Sequence, residues 1–314
     1  MSCNFKMFEI MKMRIFKIVS VLAVAMGLAS ACYKEAPIVP TPMRDDLLFE
    51  FPQDNHEHDR RIQKIHEQYG TYVIYKDIDQ NLLNRAWINL YPAMTLVADP
   101  VKQEHISYYL DLLQAHLFDY CDSELMKSYF PKYFFLVNNL HLVDNGVSKA
   151  HMVAKTDGVD FWAFSLKEKD GAMQTVNIRQ ARLALAYALI KNAFDEGKIE
   201  VPASFYEGID YKNAIYDAIY SDGTAHEWHY QQRGFVKYVQ PSFESESRTT
   251  DIALVASDGE DFLMYVRKIL YTAPAQFISE HSRWELIMKR YQIVLNLFNE
   301  LGIDLSAIAE GPAI

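Results

Sequence analysis

The chain has 314 residues, half of them apolar, with 41 acidic against 31 basic side chains and a formal net charge of −10. That acidic balance argues against nucleic acid and against an electrostatic membrane patch, both of which call for clustered Lys and Arg. The length suits one large domain or two small ones, and no repeat, low-complexity tract or long linker divides the chain after Pro42.

The N-terminus carries an address. A basic stretch from Met13 to Lys17 precedes an apolar run from Ile18 to Leu28, and Ala29, Ser30 and Ala31 follow. This is the layout of a secretory signal, with an apolar run shorter than the ~20 residues of a membrane-spanning helix. Met11 and Met13 are both candidate starts. Cys32, directly after the small residues, resembles a bacterial lipobox, where the chain is cut before the Cys and the thiol is lipidated. Leu28 lies four residues before it rather than the common three; the alternative is an ordinary signal with an incidental Cys. Residues 1–31 are thus expected to be a lipoprotein signal peptide. Residues 32–42, with Pro37, Pro40 and Pro42, are expected to form an extended, semi-rigid tether on the lipidated Cys32. Cys32-Tyr33-Lys34-Glu35 is similar to the charged export signals of surface lipoproteins in Bacteroidota, which implies an outer-membrane lipid anchor and a body facing the cell exterior. Without residues 1–31 the chain keeps 27 basic and 40 acidic side chains, a net charge of −13. Cys121 is then the one unmodified cysteine, so no intramolecular disulfide is expected and packing must stabilise the fold.

The remaining elements follow in chain order. Asp54 to Tyr69 has helical spacing at Ile62 and Ile65 and ends at Gly70; the β-branched and aromatic run Thr71 to Tyr75 predicts a strand. His56-Glu57-His58, set among Asp54, Asp59 and Arg60, is expected to be a solvated charged stretch. His105 to Phe118 places Ile106, Leu110, Leu113 and Leu117 at helical intervals. Tyr133 to Val137 and Asp160 to Leu166 are expected strands. Ala181 to Phe194, with Asn177 as N-cap and Gly197 as stop, is a helix rich in Ala and Leu. Two helices fit Glu260 to Tyr271 and His281 to Leu301, closed by Gly302. Strands before the central helix and helices after it predict an α+β fold: a small mixed sheet plus helices, with a helical C-terminal part.

Several segments together resemble the substrate-import-associated zinc metallohydrolase lipoproteins of Bacteroidota. They are Tyr69-Gly70-Thr71, Ser128-Tyr129-Phe130-Pro131 before Phe134-Phe135-Leu136-Val137, Gly234-Phe235-Val236, Asp258-Gly259-Glu260-Asp261-Phe262 and Gly302-Ile303-Asp304-Leu305. The resemblance implies a zincin-like metallopeptidase scaffold over residues 43–314. It also implies a place beside a TonB-dependent transporter and its SusD-like partner, with a glycan or a peptide as ligand. An HExxH site works because two His at i and i+4 share a helix face and bind Zn²⁺ while the Glu activates a water. No HExxH occurs here. The expected register puts Leu183 and Tyr187 at the two His positions and Ala184 at the Glu, and Met264 stands where the family's downstream motif ends in an acid. The resemblance therefore implies a degenerate site with no cofactor.

A rival motif is His226-Glu227-Trp228-His229, in which two His at i and i+3 still share a face. With Glu260, or with Glu244 or Glu246, it would bind zinc, and Glu227 would act as the general base. Cys121 sits among carboxylates and is a poor nucleophile; Asp160 and Glu168 could be drawn as a glycosidase carboxylate pair, the alternative being ordinary surface charges. Tyr206, Trp228, Tyr230, Phe235 and Tyr238 cluster in one long irregular region, either as core or as a surface for sugars or a flat protein partner. The two readings are a non-catalytic surface component of a SusC/SusD-type importer and an active zinc hydrolase with a rearranged site.

Overall fold

The computed structural model describes residues 48–85, 94–158, 160–169, 172–174, 178–213, 229–239, 251–252 and 258–312, and Phe49–Ile314 forms one compact unit. Helix α1 (Glu57–Tyr69) buries Ile62, Ile65 and Tyr69 along one stripe. It stops at Gly70, whose φ of 70° returns its N–H to the His66 carbonyl at 2.8 Å, a left-handed turn that a side chain would strain. Strand β1 (Tyr72–Ile74) follows, then a one-turn helix α2 (Gln80–Leu83), strand β2 (Met94–Pro100), helix α3 (Gln103–His116) and a short helix α4 (Glu124–Lys127).

The spine of the sheet is β3 (Tyr133–Asp144). Its first half pairs in parallel with β1 on one side and with β6 (Phe161–Lys169) on the other. Its second half exchanges both neighbours and runs antiparallel to β2 and to β4 (Val147–His151). Strand β5 (Ala154–Lys155) lies antiparallel on the outer side of β6, and β7 (Ala172–Gln174) folds back on the end of β6. The continuous apolar runs in β3 and β6 follow from this placement, since a central parallel strand is covered on both faces. Alternate residues divide accordingly. Phe134, Leu136, Trp162 and Phe164 join the larger core with the helices, whereas Tyr133, Phe135, Val137 and Phe161 join a smaller core with Leu83 and Leu96.

The long helix α5 (Ile178–Asp195) comes next. After it lie the short pair β8 (Tyr238–Val239) and β9 (Asp251–Ile252), then helices α6 (Asp258–Tyr271), α7 (Pro274–His281), α8 (Glu285–Glu300) and α9 (Leu305–Glu310). The order is that expected of the α+β chain: helix, mixed sheet with antiparallel edges, central helix, helical C-terminal part. Three expectations need correction. The helix placed at His281–Leu301 is two helices, because His281 ends α7 and the chain breaks at Ser282 to Trp284 before α8 begins. The strand at Tyr133 to Val137 continues to Asp144, since it acquires new partners beyond Val137. Of the stretch expected to be solvated, His56 and Glu57 are exposed but His58 is buried, its ring edge-on to Tyr75 at 5.0 Å. The expected N-cap Asn177 lies outside the described residues.

Candidate functional site

Helix α5 is built from strong helix formers and is apolar almost all round, which marks a helix enclosed by protein. Leu183 is 0% exposed, Ala184 6% and Tyr187 9%. These three positions, where the sequence register expects a metal-binding and catalytic set, therefore carry packed core side chains, two aliphatic and one phenol. The guanidinium of Arg267, from α6, lies over the Tyr187 ring at 4.0 Å, a cation–π contact of roughly 0.5–2 kcal/mol. No carboxylate, imidazole or thiolate stands at any of the three, and the residues present do not fit a zinc ion. Met264, at the last acidic position of the downstream motif, is also buried.

The charged neighbours of this helix hold the fold together. Arg182, 3% exposed, donates to the Ile308 carbonyl at 2.7 Å and to the carbonyls of Ala309 and Glu310. A cation at the C-terminus of α9 is favoured there by the helix dipole. It also donates to His116 Nδ1 at 2.9 Å, and burial together with Arg182 lowers the His116 pKa, keeping that ring a neutral acceptor. Gly311 has φ of 71°, which strains any residue with a side chain, and a Cβ on it would fall 2.1 Å from the Arg182 guanidinium and have to displace it.

The segment Asp258 to Phe262 supplies a second buried node. Asp261 is fully buried and pairs with Arg290 of α8 and with the Tyr211 hydroxyl at 2.7 Å. Burial raises the Asp261 pKa, while Arg290 and Tyr211 pull the other way; Arg290 stays protonated. Arg290 also donates to the carbonyls of Phe205 (2.9 Å) and Gly234 (2.6 Å), and the Tyr265 hydroxyl donates to the same Gly234 carbonyl at 2.5 Å. Breaking such a buried pair by removing one partner costs about 3–5 kcal/mol. The resembling segments around Gly234 and Asp261 thus meet in one structural cross-link.

Of the rival motif, His226, Glu227 and Trp228 lie outside the described residues, as do Glu244 and Glu246. His229 is 1% exposed and stacks on Trp284 at 5.5 Å, whereas Glu260 is exposed. Among the described residues no three His, Cys, Asp or Glu side chains converge as a metal site. Tyr230 and Phe235 are buried, the core alternative of the two left open for these rings; the Tyr238 side chain lies outside the described set, and Tyr206 is half-buried against Phe205. Asp160 and Glu168 are spent on other partners, Arg85 for the first, Lys102 and Asn138 for the second. Cys121 is buried, which pushes its thiol pKa up.

Two arrangements escaped sequence reasoning. His151 Nε2 lies 3.0 Å from Ser165 Oγ, a nucleophile–base spacing formed by residues on different strands. Ser165 is fully buried and its Oγ accepts the Leu140 N–H at 2.9 Å, so the pair bridges strands where β3 changes neighbours and does not meet a substrate. The other is a cleft of about 530 Å³ between the start of α1 and the edge of β1. Four rings line it, those of Phe51, His56, His66 and Tyr72, with Phe51 and Tyr72 at 4.5 Å and Tyr72 and His66 stacked at 3.7 Å. Asp54, Asn55, Glu57 and Arg60 form its polar rim.

No family model matches the chain, and no curated protein matches it. A solved structure from Bacteroides caccae, titled as a "putative zinc-binding metallo-peptidase", aligns over 82% of this chain and 92% of its own at 10% identity, with a TM-score of 0.44.

Proposed function

We propose that this chain is the folded body of a lipid-anchored, outward-facing surface protein that binds a ligand or partner without cleaving it: a zincin-like scaffold whose catalytic helix serves as core. The observation that carries this reading is the packing of α5. A zincin centre needs two imidazoles and a carboxylate on one helix face. At these positions stand Leu183, Tyr187 and Ala184, all buried, with a fixed guanidinium charge 4.0 Å from the Tyr187 ring.

The anchor is proposed from the signal layout and Cys32, and the exterior address from the residues that follow it. Service to a TonB-dependent transporter and a SusD-like lipoprotein rests on the sequence resemblance. The test is digestion of a mixed peptide library by the full chain in detergent, with and without added zinc. No cleavage above background is expected in either case. Cleavage that a chelator removes and Glu227→Gln abolishes would overturn the reading in favour of a hydrolase.

A further inference from the structure

We infer that the cleft between α1 and β1 is a binding site for a neutral carbohydrate, an inference that rests on the binding role proposed above. Its volume of about 530 Å³ lies within the range of small-molecule sites, which combine apolar walls with a few placed polar groups. The walls include the rings of Phe51, Tyr72, His66 and His56; His66 stacks on Tyr72, and Phe51 is tilted against it. Ring surfaces of this kind pack against the C–H faces of a pyranose.

The rim selects among ligand classes. Asp54 and Glu57 accept hydrogen bonds; Asn55 and Arg60 donate them. A ligand whose hydroxyls both donate and accept satisfies all four at once. An anionic ligand would meet the carboxylates of Asp54, Glu57 and Asp59, and like charges in one site repel. A cationic ligand would meet Arg60 and would have to displace it from Glu57, with which it is ion-paired. A polyhydroxyl ligand can bond to the rim without breaking its ion pairs, Asp54 with Lys76 at 2.9 Å and Glu57 with Arg60.

The site is also held in place independently of the rim. Asp59, at the floor, accepts the Tyr75 hydroxyl at 3.0 Å and the His56 N–H at 3.0 Å. Gln53 binds the Val73 carbonyl at 2.8 Å and so fixes the Phe51 segment to β1. A ligand would meet a preformed surface and would not have to order one.

The experiment is an array of neutral oligosaccharides (α-glucans, β-glucans and mannans) probed with the full chain in a detergent without a sugar headgroup. Titration calorimetry with the retained saccharide follows, on the unmutated chain, Asn55→Ala and Arg60→Ala. Both substitutions are at exposed positions, so folding is preserved and a change in affinity reads the site. Binding of one neutral saccharide class, weakened at least ~10-fold by each variant, is the expected result, since each removes hydrogen bonds worth about 1.5 kcal/mol. Retention of none, equal affinity in all three proteins, or displacement of the saccharide by spermidine would overturn it. Stoichiometric zinc in the purified chain would fail the binding-protein reading itself; a zinc-free chain that ignores the array fails only this inference.

Discussion

His151 shows how a single residue here looks catalytic and acts structurally. It is 8% exposed, and burial, with Lys167 and His141 nearby, lowers its pKa from 6.5 to about 4. The unfolded chain takes up a proton on this ring below pH 6.5, and the native chain only near pH 4. The stability it supports is therefore full above pH 6.5 and lost as pH falls between those values, by about 3 kcal/mol in all. His58 and His116 are lowered in the same direction by burial. Denaturant unfolding at pH 7 and pH 5 should show a loss of about 2 kcal/mol from His151 alone, and His151→Gln, which keeps a hydrogen bond to Ser165, should lack that part. Equal losses in both proteins would mean that the imidazole is not held neutral. The same distinction applies to Tyr187. Its register invites comparison with a metal ligand, but its ring is covered by Arg267 and its neighbours on α5 are core.

Elements of this fold are closed by amide side chains. The free edge of β1 is met by Gln53, which donates to the Val73 carbonyl and accepts the Tyr75 N–H at 2.9 Å. The outer edge of β2 is met by Asn84, which accepts the Leu96 N–H at 2.7 Å and donates to the Leu96 carbonyl at 2.8 Å. Each imitates a neighbouring strand and denies the edge to another chain. The double variant Gln53→Ala, Asn84→Ala should lose about 1 kcal/mol per bonded group and self-associate more than the unmutated chain in size exclusion with light scattering. Unchanged stability and an unchanged elution profile would refute the role. The sequence made two kinds of element readable: α1 up to Gly70 and α6, whose period matches one buried face, and β6 and α5, which are continuous apolar runs between turn residues. The break between α7 and α8 was unreadable because Ser282-Arg283-Trp284 contains neither Gly nor Pro to mark a stop. β4 was unreadable because four of its five residues are exposed, so no alternation marks it. The cleft at α1 was hidden for another reason. Phe51, His66 and Tyr72 lie on three different segments, and only the fold brings them together.

At the scale of the molecule, two cores lie on opposite faces of one sheet, and two buried arginines join the C-terminal helices to the rest. Arg182 connects α5 to the end of α9, and Arg290 connects α8 to α6 and to the Phe205 and Gly234 carbonyls. Arg182 stands on the helix where the resemblance expects chemistry, and both arginines are used to fasten helices. The central claim is that α5 is a core helix and not a metal centre. It is tested most directly by elemental mass spectrometry of residues 43–314, purified without chelators or a His-tag, on a unit whose compactness does not depend on the anchor. Zinc well below one ion per chain is predicted. One tightly held zinc per chain, lost on His226→Ala, would contradict the account and make this protein a hydrolase with a rearranged site.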